Sequence, residues 1–150
     1  MPTVYLTTVI KAPIEQVFDA ARSIDIHQQS MSHTNEQAIA GRTTGKIELG
    51  ESVTWEAIHF GIKQNLTAKI TEMKSPHTFT DEMVHGAFKH FKHTHTFTFI
   101  DNFTIMKDTF TYTSPLGPIG KLADILFLKR YMTKLLTKRN DALKLHLEKT

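Results

Sequence analysis

Cysteine is absent from all 150 residues. That excludes a disulfide framework, a thiolate nucleophile and a cysteine-held metal. Glycine and proline are sparse, seven and five, and no low-complexity tract, repeat or linker divides the chain, so residues 1–150 read as one domain. No stretch approaches the roughly 18 uncharged apolar residues of a membrane span. The opening MPTVYLTTVIKAP alternates like a strand and lacks the basic start and continuous apolar run of a signal peptide, so a cytoplasmic location is the expectation. Also missing are a Gly-rich phosphate loop, a G-x-S-x-G elbow, an H-E-x-x-H pair and a dinucleotide fingerprint. No cofactor is expected.

Charge of one sign is scarce overall, with a formal net charge of +3, but it is unevenly spread. From Gly117 onward there are eight Lys or Arg and three acids. A basic helix face can attract nucleic acid or anionic lipid. No nucleic-acid motif accompanies it, so the reading is a solvated outer face and no nucleic-acid partner.

What is present is periodicity. Pro2 to Lys11 alternates as a strand, with Val4, Leu6, Thr8 and Ile10 on one face. Pro13 then opens a short helix carrying Ile14, Val17, Phe18 and Ala21 at helical spacing, and a second short helix runs from about Ile24 to Met31. Ser32 to Glu51 is polar and broken by Gly41, Gly45 and Gly50, as expected of short strand pieces and loops. From Ser52 the period is two. Trp55 and His59 share a face; Phe79, Asp81, Met83 and His85 share the next; then follow Phe91, His93, His95 and Phe97, and finally Met106, Asp108, Phe110 and Tyr112. The opposite faces are rich in Thr and Lys, the mark of an antiparallel sheet with one covered face. Pro115, Gly117 and Pro118 break the last strand, and a long helix begins at Pro118. Its stretch from Leu122 to Leu136 is apolar almost all round, so it must be covered on several sides or must wall a cavity.

The covered face carries an unusual set of titratable groups: His59, Asp81, His85, His93, His95 and Asp108. His93 and His95 are two apart on one strand, hence about 7 Å apart on one face. Across the hairpin at Gly86, Asp81 falls opposite or diagonal to one of them. Three readings compete. Two histidines and a carboxylate have zinc-ligand chemistry without a recognisable spacing, so no metal is assigned. A carboxylate orienting a histidine toward a carbonyl or enol would be an acid–base site, with His93, His95 and Asp81 as its candidates. The default is that buried polar groups satisfy one another. No catalytic residue is assigned on this basis. The residues expected to meet a ligand are Trp55, His59, Phe79, Asp81, Met83, Phe91, His93, His95, Phe97, Asp108, Phe110 and Tyr112 of the sheet, with Leu122 and Leu126 of the helix. His27 and His33 flank a cavity mouth in this reading, and Arg42 sits in a loop where it could meet an anionic head.

The order strand, two short helices, six strands, long helix resembles the SRPBCC superfamily, also called START-like or Bet v 1-like. So do the opening TVYLTTVIKAPIEQVFDAARSID, the hairpin DEMVHGAFKHFKHTHTF and the block SPLGPIGKLADILFLKRYMTKLLTKRNDALK. The hairpin and the C-terminal block are similar to a bacterial branch that carries the labels "cyclase/dehydrase" and "cell division inhibitor". The resemblance implies an α+β helix-grip fold, in which a curved antiparallel sheet of about seven strands wraps a long C-terminal helix and leaves a cavity between them. It further implies a small hydrophobic ligand (lipid-, sterol- or polyketide-like), held by a carrier or sensor without turnover. The alternative is a polyketide cyclase/dehydrase-like or hydrolase-like enzyme using the His/Asp cluster. The family has no universal catalytic residue to carry over. The buried arginine of its aromatase/cyclases has no obvious counterpart here, unless Arg42 or Arg22 reaches inward. A homodimer is compatible with the sequence.

Overall fold

The computed structural model describes residues 2–114, 118, 122 and 127–149. A first strand β1 (Thr3–Ile10) is followed by the helices α1 (Ile14–Ala21) and α2 (Ile24–Ser30). Then come β2 (Gln37–Gly41), β3 (Ser52–His59), β4 (Ile62–Lys74), β5 (Thr78–His85), β6 (His90–Ile100), β7 (Phe103–Thr113) and the helix α3 (Lys129–Glu148). Seven strands form one antiparallel sheet in the order β1-β7-β6-β5-β4-β3-β2. β2 to β7 are a meander, and β1 closes onto β7 from the far end of the chain, pairing Thr3 with Thr111 and Ile10 with Thr104.

Local chemistry explains the elements. Pro13, extended at ψ 147°, precedes α1, whose buried side is Val17, Phe18 and Ala20. Ser23 caps α2 by accepting a hydrogen bond from the Ile26 amide at 3.2 Å, satisfying one of its unpaired donors. Along β7 buried positions alternate strictly with exposed or half-buried ones, Thr104, Met106, Asp108, Phe110 and Tyr112 facing in.

The interior has two apolar clusters. One lies under α1, where Phe18 meets Phe79 and Phe97 edge-on, with ring centroids 5.5 and 5.3 Å apart. Each such ring contributes roughly 1.5–3 kcal/mol by leaving water. The second joins Val4, Phe91, Phe110 and Tyr112 of the sheet to Met132 and Leu136 of α3. Between them lies a polar layer of His93, His95 and Asp108, all buried. His95 stacks on Phe79 of the first cluster at 4.2 Å, and His93 meets Phe110 of the second edge-on at 5.3 Å.

Two expectations are corrected by the fold. Leu122 and Phe127 are 57% and 50% exposed, so the apolar start of the C-terminal segment is not covered at those residues. The burial that the helix needs comes later, at Met132, Leu136, Asn140 and Leu143. His85 does not face inward: a bulge shifts the β4–β5 register between Thr67/His85 and Ala68/Met83, and the extra residue turns it to solvent.

Candidate functional site

The second apolar cluster is incomplete, and a cavity of about 520 Å³ lies between the sheet and α3. Its sheet wall includes Trp55, Ala57 and Ala68, and its aromatic wall Phe91 and Phe110. Tyr131, Met132, Leu135, Leu136 and Arg139 line it from the helix. The small side chains of Ala57 and Ala68, both buried, leave the room. Tyr131 and Arg139 are eight positions apart on α3, about 12 Å at the helical rise, so they mark two ends of an elongated space.

The inner end is polar. Asp108 is its hub: His93 Nε2 donates to Oδ1 at 2.8 Å, Arg139 donates to the same oxygen at 3.2 Å, and the buried Asn140 amide donates to Oδ2 at 2.7 Å. His95 Nε2 donates to Asp81 Oδ1 at 3.0 Å. Its Nδ1 lies 3.1 Å from Asp108 Oδ1, an ionic contact off the donor axis that makes no hydrogen bond. The rings of His93 and His95 stack at 3.9 Å, so two groups expected about 7 Å apart touch through their faces.

Burial and neighbours divide the charge. Burial, assisted by the positive charge of His95, lowers His93 to about 4, so His93 is neutral at pH 7. Burial also opposes charge on His95, but Asp108 and Asp81 outweigh it and raise its pKa. Burial would raise both carboxyls, yet the histidines bonded to them hold Asp81 and Asp108 below the usual carboxylate range. Two carboxylates thus face the Arg139 guanidinium and a histidine whose protonated form they favour. A buried charge set of this kind persists only when fully paired.

Asp81 is 21% exposed at its side chain and, with neutral His93 and Arg139, faces the cavity. His95 and Asp108 stand behind them. Asp81, His93 and His95 each bring one ligand atom within 4.8 Å of the others, a possible cation cradle by donor type. The Arg139 guanidinium already supplies positive charge there.

At the outer end His59 Nδ1 and the Tyr131 hydroxyl share a hydrogen bond of 2.6 Å. Burial lowers the pKa of His59 and raises that of Tyr131, keeping both neutral. On a third side His27 lies over Trp55 at 4.3 Å and bonds Glu36 at 2.8 Å, and all three line the cavity.

The sequence matches the family model described as polyketide cyclase / dehydrase and lipid transport over residues 1–148. The chain belongs to that family. No curated protein sequence matches it. Among solved structures, a START superfamily protein from Mycobacterium smegmatis superposes with a TM-score of 0.75 at 12% identity, covering 98% of this chain and 97% of that one. A protein from Thermus thermophilus gives 0.74 at 19% identity, covering 95% and 97%. The ginseng major latex-like protein 151 from Panax ginseng gives 0.72 at 14% identity, covering 97% of each chain. These likenesses show a shared helix-grip fold.

Within this polyketide cyclase / dehydrase and lipid transport fold, the expected site residues separate into groups. Trp55, His59, Asp81, Phe91, His93 and Phe110 line the cavity. Phe79 and Phe97 do not, because α1 brings Phe18 onto them and fills that end of the sheet. His95 and Asp108 are buried behind the wall. Tyr112 is fully buried against Phe88 and Phe110. Met83 packs at the edge of the second cluster without lining the space. Leu122 is exposed, and Leu126 lies outside the described residues.

The inward arginine is neither Arg22 nor Arg42. Arg22 binds Asp19, Glu48 and the Ile47 carbonyl, and Arg42 binds Glu51 and the Thr44 carbonyl. It is Arg139, which sequence reasoning passed over as part of the basic outer face. The signal was there: Met132, Leu136, Arg139 and Leu143 keep one helical face. Tyr131, Glu36 and Phe88 were missed too; Glu36 and Phe88 sit in irregular segments where periodicity says nothing.

Proposed function

We propose that the protein binds a small hydrophobic molecule in the cavity between its sheet and α3 and acts as a carrier or sensor without turnover. The observation that carries this reading is the space of about 520 Å³ with a predominantly apolar wall. That volume falls in the range of small-molecule sites. An apolar body would lie along Trp55, Phe91, Phe110 and Leu136, and a polar group at one end would meet Asp81, His93 and Arg139. Asp81 is an ionised acceptor and Arg139 a donor, so a hydroxyl and a carbonyl or carboxylate oxygen are the groups that fit there.

A second reading is favoured by one specific observation. His93 is neutral, lies on the wall and is oriented from behind by Asp108, which is the arrangement of a general base. A cyclase-like or hydrolase-like proton transfer would use His93 as base, with Asp81 and Arg139 positioning the ligand's oxygens.

Native mass spectrometry of the freshly purified protein separates the two. A carrier releases its co-purified molecule at unchanged mass on prolonged incubation. An enzyme converts it, and His93→Gln stops the conversion. A cavity that never retains any apolar molecule, including a neutral fluorescent probe, would overturn both.

A further inference from the structure

We propose that the cavity mouth is a docking surface for an anionic lipid bilayer, built from Phe60 in the β3–β4 turn, Phe127, and the basic stripe Arg130, Lys134 and Lys138 of α3. The proposal goes beyond the cavity reading and does not depend on what the cavity holds.

The first observation is a residue in the wrong chemistry for its turn. His59 pairs with Ile62, leaving the two-residue loop Phe60-Gly61 with φ of 53° and 73°. Such a turn is of the primed kind that favours Asn-Gly or Asp-Gly, because both central residues are left-handed. The β6–β7 hairpin of the same chain makes the same turn between Ile100 and Phe103 with Asp101-Asn102, at φ 53° and 68°. Folding alone selects short polar residues there. Phenylalanine at a positive φ is a strained choice for a bulky side chain. Phe60 is 59% exposed, with its ring 4.5 Å from that of Tyr131 and 5.9 Å from that of Phe127. Beside it in the hairpin Ile62 is also exposed. Apolar groups thus gather in water where the cavity opens, since Phe60 and Tyr131 both line it.

The second observation is charge. Phe127, just ahead of α3, and Arg130, Lys134 and Lys138 within it follow one another at helical spacing, and the three cations are exposed. None of them forms an ion pair with a carboxylate among the described residues, unlike Arg139 and Lys144 of the same helix. Aromatic tips flanked by exposed cations fit the boundary of a negatively charged bilayer, where rings enter the headgroup layer and cations meet phosphates. Docking in that pose would turn an apolar cavity mouth toward the acyl region, so that a hydrophobic molecule passes between the two without crossing water.

Sedimentation with vesicles tests this. The full chain is expected to pellet with vesicles of equal parts phosphatidylcholine and phosphatidylglycerol, not with phosphatidylcholine alone, and to be released by high salt. Neutralising Arg130, Lys134 or Lys138 to Gln should each weaken partitioning by about fivefold. Phe60→Asn is the decisive variant: it suits the turn, so thermal stability should hold or rise while partitioning falls. Absence of sedimentation with anionic vesicles, or unchanged partitioning of Phe60→Asn, would overturn the proposal. So would a dimer in solution that buries Phe60. Binding of a neutral apolar fluorophore, followed in parallel, separates the failures. If the fluorophore binds and vesicles do not, docking alone fails; if vesicles bind and the fluorophore does not, the cavity reading alone fails.

Discussion

His93 and His95 are the same residue type, two positions apart on one strand, yet their pKa values are pushed in opposite directions. The difference is their partners: His93 meets one carboxylate, while His95 lies between two. His93 is neutral in the fold with a pKa of about 4 against an ordinary 6.5, so its contribution to stability is complete above 6.5 and is lost as pH falls toward 4. His95 is raised, so its contribution is complete below its ordinary value and is lost as pH rises past the folded one. Stability from this pair should therefore peak near pH 6.5, the ordinary value of both groups. The acid limb due to His93 is worth about 3 kcal/mol. Urea denaturation across pH checks this, with His93→Gln flattening the acid limb and His95→Gln the alkaline one. A profile with neither limb would contradict these opposed shifts. That these groups share a face was legible from the two-residue period. Which way each is pushed was not, because it depends on burial and on Asp81 and Asp108 reaching them from the neighbouring strands β5 and β7.

Among the elements, β2 shows how backbone geometry closes the sheet. Gly41 ends this edge strand at φ +71°, and a Cβ there would lie 2.3 Å from the Ser52 carbonyl oxygen. Gly50 has φ +83° but open space around it. Gly50→Ala should cost about 1 kcal/mol for the left-handed backbone alone. Gly41→Ala should cost about 1 to 3 kcal/mol more, because a backbone atom must move as well. Chemical denaturation of the two variants measures the difference, and equal losses would contradict the close approach. Both glycines were read correctly as punctuation of a polar segment. The bulge that turns His85 outward was invisible, since an extra residue breaks the alternation without changing composition. Likewise Phe79 and Phe97 carry the same period as Phe91 and Phe110, and only the seat of α1 decides that the first two are core.

For the molecule as a whole, the decisive quantity is the unfilled volume between sheet and helix. Ala57→Phe places a ring into that space from the sheet wall. In a packed core such an insertion costs about 1–3 kcal/mol through strain. Here it should leave the melting temperature within a few degrees, roughly the shift expected of a change below 1 kcal/mol, and weaken binding of a neutral apolar fluorophore at least about tenfold. Fluorescence titration beside thermal unfolding reads both. A large loss of stability with unchanged binding would mean that the space is not where ligands go.

By itself the sequence determined the order of strands and helices along the chain, the antiparallel sheet, the terminal helix and, bulges aside, the face on which each strand residue lies, because periods of two and 3.6 are local properties of the chain. Tertiary structure alone decided where the interior is solid and where it is hollow, which arginine turns inward, and which way each buried histidine is shifted. Those outcomes depend on volumes and fields summed over β5, β6, β7 and α3 at once, and no single segment encodes that sum.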